Sequence, residues 1–186
     1  MKAANRGLTS DGAYRLGLID RLTFEVVPLK SIDAAIEALP PGSEVSVTCS
    51  PVKGIEETIR LTDRIRGLGH VAIPHIAARM VEGPEHVERI AKWMRTEGVG
   101  RLFLVGGDAD PPAGPYTDAA TFLQDLLEAG PELHTVGVTA YPDGHAAIDR
   151  PILSDALQRK QQVLAEAGVA GYASCLLYTS PSPRDA

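Results

Sequence analysis

The chain has 186 residues, 44% of them hydrophobic and 23% charged, which is enough apolar matter for a buried core and excludes a chain too polar to fold. Its length suits one domain, or part of a larger one. A net charge of −6 offers no basic face to phosphates, and 5% aromatics give few stacking platforms, so nucleic acid is excluded as the main partner. No apolar stretch approaches the roughly 20 residues that cross a bilayer. The opening MKAANRGLTSDGAYRLG lacks the apolar centre of a signal peptide, so no membrane partner and a cytoplasmic location are expected. Cys49 and Cys175 are too few for a disulfide framework and lack zinc-ligand spacing. They read as two unpaired thiols, and no metal site is expected.

Strand and helix signals alternate along the chain. Residues 22–27 (LTFEVV) read as a first strand and 31–39 as a helix with Ser31 at its N-cap, stopped by Pro40, Pro41 and Gly42. Residues 44–48 form the second strand. The segment 54–67 places Ile55, Ile59, Thr62 and Ile65 near one helical face, and Gly67 and Gly69 end it. Residues 70–75 are strand three, and 84–97 is a helix opened by Pro84. Strand four is 101–105, followed by a helix over 117–129. Strand five is 134–140, the next helix 153–167, and 169–174 begins strand six.

This repeating unit of about 25–30 residues predicts an α/β fold with a parallel sheet and right-handed crossovers. Five apolar runs also end in polar side chains able to do chemistry. LTFE closes at Glu25, VSVT at Thr48, VAIPH at His75 and LFLVGGD at Asp108, while TVGVTAYPDGH carries Tyr141 and His145. In a parallel barrel, active-site groups collect on the rim where strands end. An open doubly wound sheet is the alternative, although no G-x-G-x-x-G follows the first strand.

Taken in order, FEVVP at 24–28, VSVT at 45–48, PH at 74–75, GGDADPP at 106–112 and AYPDGH at 140–145 resemble the successive strand-end motifs of methylenetetrahydrofolate reductases. The resemblance covers about residues 22–174. It implies an incomplete (β/α)8 barrel of the TIM type over residues 1–174, holding about six of the eight βα units. It also implies FAD as cofactor, NADH or NADPH as hydride donor, and reduction of 5,10-methylenetetrahydrofolate to 5-methyltetrahydrofolate. A folate-binding barrel without turnover, or an inactive fragment, is the alternative. A homo-oligomer is compatible with the full-length parent.

By this resemblance Glu25 is the general acid that helps open the methylene-bridged ring. A partly desolvated carboxyl at a barrel mouth is able to deliver such a proton near neutral pH. Read without the family, Glu25 is a strand-end carboxylate bonded to a loop amide. Asp108 matches the aspartate of an R-G-D-x-P-P loop lying between flavin and pterin; otherwise it is a turn residue before Pro111 and Pro112. Gly106 and Gly107 permit close approach of a flat ring, but Gly106 stands where many family members carry arginine. His75, Tyr116, Thr117, Tyr141 and His145 match flavin-contacting positions, and Thr48 one facing the nicotinamide donor. Each also has a bland reading, as a cap, a core group or a surface group. Lys160 can restore the missing positive charge, or be a solvated helix-face lysine.

The end of the chain departs from the pattern. The family's sixth strand runs into Thr-Gln, whereas YAS is followed here by Cys175. The stretch CLLYTSPSPRDA over 175–186 has no helical period and reads as a translated adaptor, with a solvated native tail as the alternative.

Overall fold

A computed structural model describes residues 22–175. Six strands, β1 (Thr23–Val26), β2 (Glu44–Val47), β3 (Val71–Ala77), β4 (Arg101–Val105), β5 (Thr135–Ala140) and β6 (Ala170–Cys175), form one parallel sheet in sequential order. Five helices connect them: α1 (Ile32–Glu37), α2 (Gly54–Gly67), α3 (Pro84–Glu97), α4 (Ala119–Glu128) and α5 (Arg150–Glu166). A single 3₁₀ turn, Ala78–Met80, follows β3. The expected α/β class and parallel sheet are therefore observed. A doubly wound sheet reverses its strand order at a switch point; these six strands contain no reversal.

Local chemistry explains the helix ends. Pro84 occupies the first turn of α3, where its missing N–H costs nothing. Gly98 closes that helix at φ 64°, and the Val99 amide reaches back to Met94 O at 2.8 Å. Asp118 caps α4 by accepting hydrogen bonds from the amides of Ala120 (2.8 Å) and Thr121 (3.1 Å). Ser31 does hold the N-cap position of α1, but its side chain makes no capping bond. The last helix starts at Arg150, earlier than expected, because Pro151 sits harmlessly in a first turn.

One face of the sheet carries the helices and two packed cores. The larger joins Ile76, Leu102, Leu104, Val136 and Val138 to the apolar faces of α3 and α4 and to Ile55 of α2. The smaller holds Val26, Val45, Val47 and Ala72 against Ile36 of α1 and Leu61 and Ile65 of α2. Between them, Trp93 Nε1 donates to Asp63 Oδ1 at 2.9 Å, joining α3 to α2.

Alternation puts Glu25, Ser46, Ile73, His75, Phe103, Gly137 and Tyr172 on the other, inner face, where parallel pairing aligns His75 with Phe103, Gly137 and Tyr172. Gly137 is required there by space. A Cβ at this position would lie 2.4 Å from the Phe103 ring and 2.5 Å from the Tyr172 ring. Alanine normally stabilises a strand relative to glycine. Gly137→Ala is instead expected to destabilise by about 1–3 kcal/mol, the usual penalty for overpacking. Urea unfolding measures it, and a gain in stability would refute the inner-face packing.

The structure also moves expected strand boundaries. β3 runs two residues past His75, so that imidazole lies inside a strand and does not close one. Pro74, which has no amide to donate, marks the point where β3 changes partner. β3 pairs with β2 as far as Pro74 and with β4 from His75 onward. β1 spans Thr23–Val26, one residue shorter at each end than the expected 22–27. Cys175, read as the start of the tail, pairs with Ala140 as the last residue of β6. The rest of that tail, 176–186, and residues 1–21 lie outside the described residues.

Candidate active site

Parallel pairing sends every strand's C-terminal end to the same edge of the sheet. Thr48 follows β2 there, the stretch 106–118 follows β4, and Tyr141 follows β5. Glu25 and His75 approach the same edge from within their strands.

The inner face is organised around His75. It is buried, shares a 2.5 Å hydrogen bond between its Nε2 and Ser46 Oγ, and stacks with its ring centre 4.6 Å from that of Phe103. Tyr172 continues the row at 6.2 Å from Phe103. Burial pushes the His75 imidazole down to about 4, so it is neutral at pH 7. It can donate and accept hydrogen bonds there without bringing charge. Glu25, paired in register with Ser46, is exposed, not partly desolvated as expected. Toward the other end of this face Arg101 bonds Glu44, which also accepts from Thr23 at 2.6 Å. The Arg101 contact holds the Glu44 carboxyl below its ordinary range.

Asp108 is exposed on the β4–α4 loop. The preceding Gly107 has φ 87°, and a Cβ on it would fall 2.9 Å from that of Ala77, so the loop lies tight against the end of β3. Gly114 is equally constrained, since its Cβ would meet Glu82 O at 2.4 Å. Arg79, in the 3₁₀ turn, binds this loop through its backbone and its guanidinium. Its amide donates to Gly106 O (2.9 Å), its Nε to Ala109 O (2.7 Å) and an Nη to Thr117 O (3.4 Å). A further Nη lies 3.3 Å from the Asp110 carboxylate.

The remaining expected residues divide. Thr48 acts as a strand-end tie, its hydroxyl donating to Val26 O at 3.1 Å. Tyr141 and His145 stay together on the β5–α5 loop, their rings edge-on at 5.2 Å, and the Ala147 amide donates to His145 Nδ1 at 3.1 Å. Tyr116 goes elsewhere. It is 1% exposed in the helix-side core, donates its hydroxyl to Asp125 at 2.7 Å and meets Phe122 edge-on. Burial, aided by Asp125, pushes its phenol up to about 12. Thr117 is exposed beside it and offers its carbonyl to Arg79.

Lys160 corrects the reading of a solvated helix-face lysine. It is buried beneath β5, and Nζ donates to Thr139 O at 3.3 Å and to Thr139 Oγ1 at 3.4 Å. Burial holds its amine below the ordinary lysine range, against the opposing pull of Asp118. Three participants escaped the sequence reading: Ser46, Phe103 and Arg79. Strand alternation from His75 was the signal for Ser46 and Phe103. Arg79 had none, because its partners lie about 30 positions away.

Among the described residues, no cluster of three or more His, Cys, Asp or Glu side chains could hold a metal ion. What the edge offers is the exposed carboxylates of Glu25, Asp108 and Asp110, a neutral imidazole paired with a hydroxyl, and a glycine-containing loop backbone. No family model matches the chain. A crystal structure of lysine decarboxylase from Selenomonas ruminantium is similar over 92% of this chain, at 16% identity and a TM-score of 0.36. The chain spans 40% of the length of that protein, and a likeness this slight carries no argument about fold or function.

Proposed function

We propose that the protein is a flavin-dependent reductase of the methylenetetrahydrofolate reductase type. In this reading β1–β6 are staves of a (β/α)8 barrel, and the reaction reduces 5,10-methylenetetrahydrofolate to 5-methyltetrahydrofolate at the expense of NADH or NADPH. The observation that supports it is the sequential parallel order, which brings the ends of β1 to β5, each bearing one of the resembling motifs, to one edge.

The open loop backbone beside Asp108 supports a flavin at this edge. An added Cβ on Gly106 would meet nothing within 4 Å, which leaves the loop backbone next to Asp108 uncrowded at that point. Gly106, Gly107, Asp108, His75, Tyr141 and His145 are the groups that would hold the flavin, with Lys160 supplying positive charge near the end of β5 and Thr48 facing the nicotinamide donor. FAD held there would supply hydride transfer between the nicotinamide donor and the folate's one-carbon bridge. The rest is done by side chains. Glu25 gives a proton to the bridging nitrogen as the ring opens, and a pterin lying over this exposed carboxyl supplies the desolvation that the sheet alone does not. Asp108 accepts hydrogen bonds from the pterin's donor edge. His75, being neutral, adds no charge to the inner face.

The test is direct. Protein mixed with FAD and freed of unbound ligand by gel filtration is expected to stay yellow, to bleach with NADH or NADPH, and to recolour with methylenetetrahydrofolate. Failure to retain flavin would overturn the reading. Retention of folate without flavin would instead favour a pterin-binding barrel without turnover, the reading that Gly106 supports by leaving the loop without a cation at that position.

A further inference from the structure

The two carbonyls that bracket Asp108 along the chain are both held by one residue. Gly106 O accepts from the Arg79 amide at 2.9 Å and Ala109 O from Arg79 Nε at 2.7 Å. Between these anchors, Gly107 is seated on Ala77 with no space for a side chain. The loop beyond is tied to the same residue, since the Ala113 amide donates to Arg79 O at 2.8 Å and Thr117 O accepts from the guanidinium. Asp108 itself is not consumed in this structure: among the described residues its carboxylate makes no hydrogen bond or ion pair. Arg79 gives its ionic contact to Asp110, which is 90% exposed.

A pinned backbone carrying an uncommitted carboxylate is how a protein prepositions a group for a ligand. We propose that Arg79 is a positioning residue for Asp108, fixing that carboxylate at the sheet edge for a ligand with a hydrogen-bond-donating edge. The planar guanidinium suits this task because it serves acceptors in fixed directions, which a lysine ammonium does not. The ligand's identity as a pterin rests on the function proposed above; the coupling of Arg79 to Asp108 does not.

The experiment is a double-mutant cycle with Arg79→Ala, Arg79→Lys and Asp108→Asn, read in the folate half-reaction and in amide hydrogen exchange. Arg79→Ala is expected to slow folate reduction by about 10²-fold, the scale on which a misplaced group loses its effect, and to change flavin reduction in the same direction as Asp108→Asn does. Adding Arg79→Ala to Asp108→Asn should cost little more than Asp108→Asn alone, because both act through one carboxylate. Arg79→Lys should behave like Arg79→Ala although it keeps the charge, and free guanidinium should partly restore Arg79→Ala. Multiplicative losses in the double variant, or full activity of Arg79→Lys, would overturn the proposal. If the unsubstituted protein binds no flavin, the function proposed above fails and exchange decides the inference. Arg79→Lys should then speed exchange of the Ala113 amide at least about tenfold while the β4 and β5 amides stay unchanged. Exchange equal to that of the unsubstituted protein would overturn it.

Discussion

Replacing Glu25 with glutamine is expected to slow folate reduction by about 10²–10⁴-fold, the contribution of a positioned acid, while FAD uptake and its reduction by the nicotinamide donor continue. Neither of those steps needs the Glu25 proton. The side chain is exposed on β1 and pairs through its backbone with Ser46, so the amide isostere leaves the sheet intact. Asp108→Asn should give a different pattern. That carboxylate would face both rings, so it should weaken folate turnover and also change the rate of flavin reduction. Rapid mixing resolves the two half-reactions. An unimpaired folate half-reaction in Glu25→Gln would reduce Glu25 to an ordinary strand carboxylate.

The second large effect concerns stability. Burial lowers the His75 imidazole from 6.5 to about 4. In the unfolded chain it takes up a proton near 6.5, whereas in the folded chain it resists doing so down to about 4. The unfolded state therefore binds more protons across that window, and stability must rise with pH through it. The contribution is complete above 6.5, is lost progressively as pH falls toward 4, and amounts to about 3 kcal/mol. Glu44, held below its ordinary 4.5 by Arg101, acts in the same direction but only at lower pH. His86, also lowered by burial, adds a smaller slope of the same sign. Denaturant unfolding at pH 7, 6, 5 and 4.5 should show the decline, and His75→Gln should flatten most of it. An unchanged slope in that variant would locate the proton uptake elsewhere.

Two elements bounded by glycine or proline were legible in the sequence to the residue: α2 spans Gly54–Gly67 and α3 spans Pro84–Glu97. The strands followed from their apolar runs, except where the polar His75 imitated a strand end and concealed the extension of β3 to Ala77. Side-chain fate was harder to read. Tyr116 adjoins the Asp108 loop in sequence, but only the packing of α4 shows that its ring belongs to the core. Lys160 sits in the polar stretch QRKQQ, where nothing in the pattern marks one cation as buried. Arg79 gains its meaning from carbonyls roughly 30 positions ahead, and local periodicity carries no such information.

The division of the helix-side packing into two cores gives this protein a built-in seam for partial opening. β1, β2 and α1 lean on the smaller cluster, so that unit can come away in a sub-global fluctuation while β3 to β6 remain folded. The chain's one tryptophan, Trp93, packs on the larger cluster and reaches across to Asp63 of α2. Its indole is thus an intrinsic fluorophore at the boundary between two cooperative units. If α2, whose Leu61 and Ile65 belong to the smaller cluster, leaves with that unit, the indole loses Asp63 before the rest melts, and emission and far-ultraviolet circular dichroism then follow different transitions.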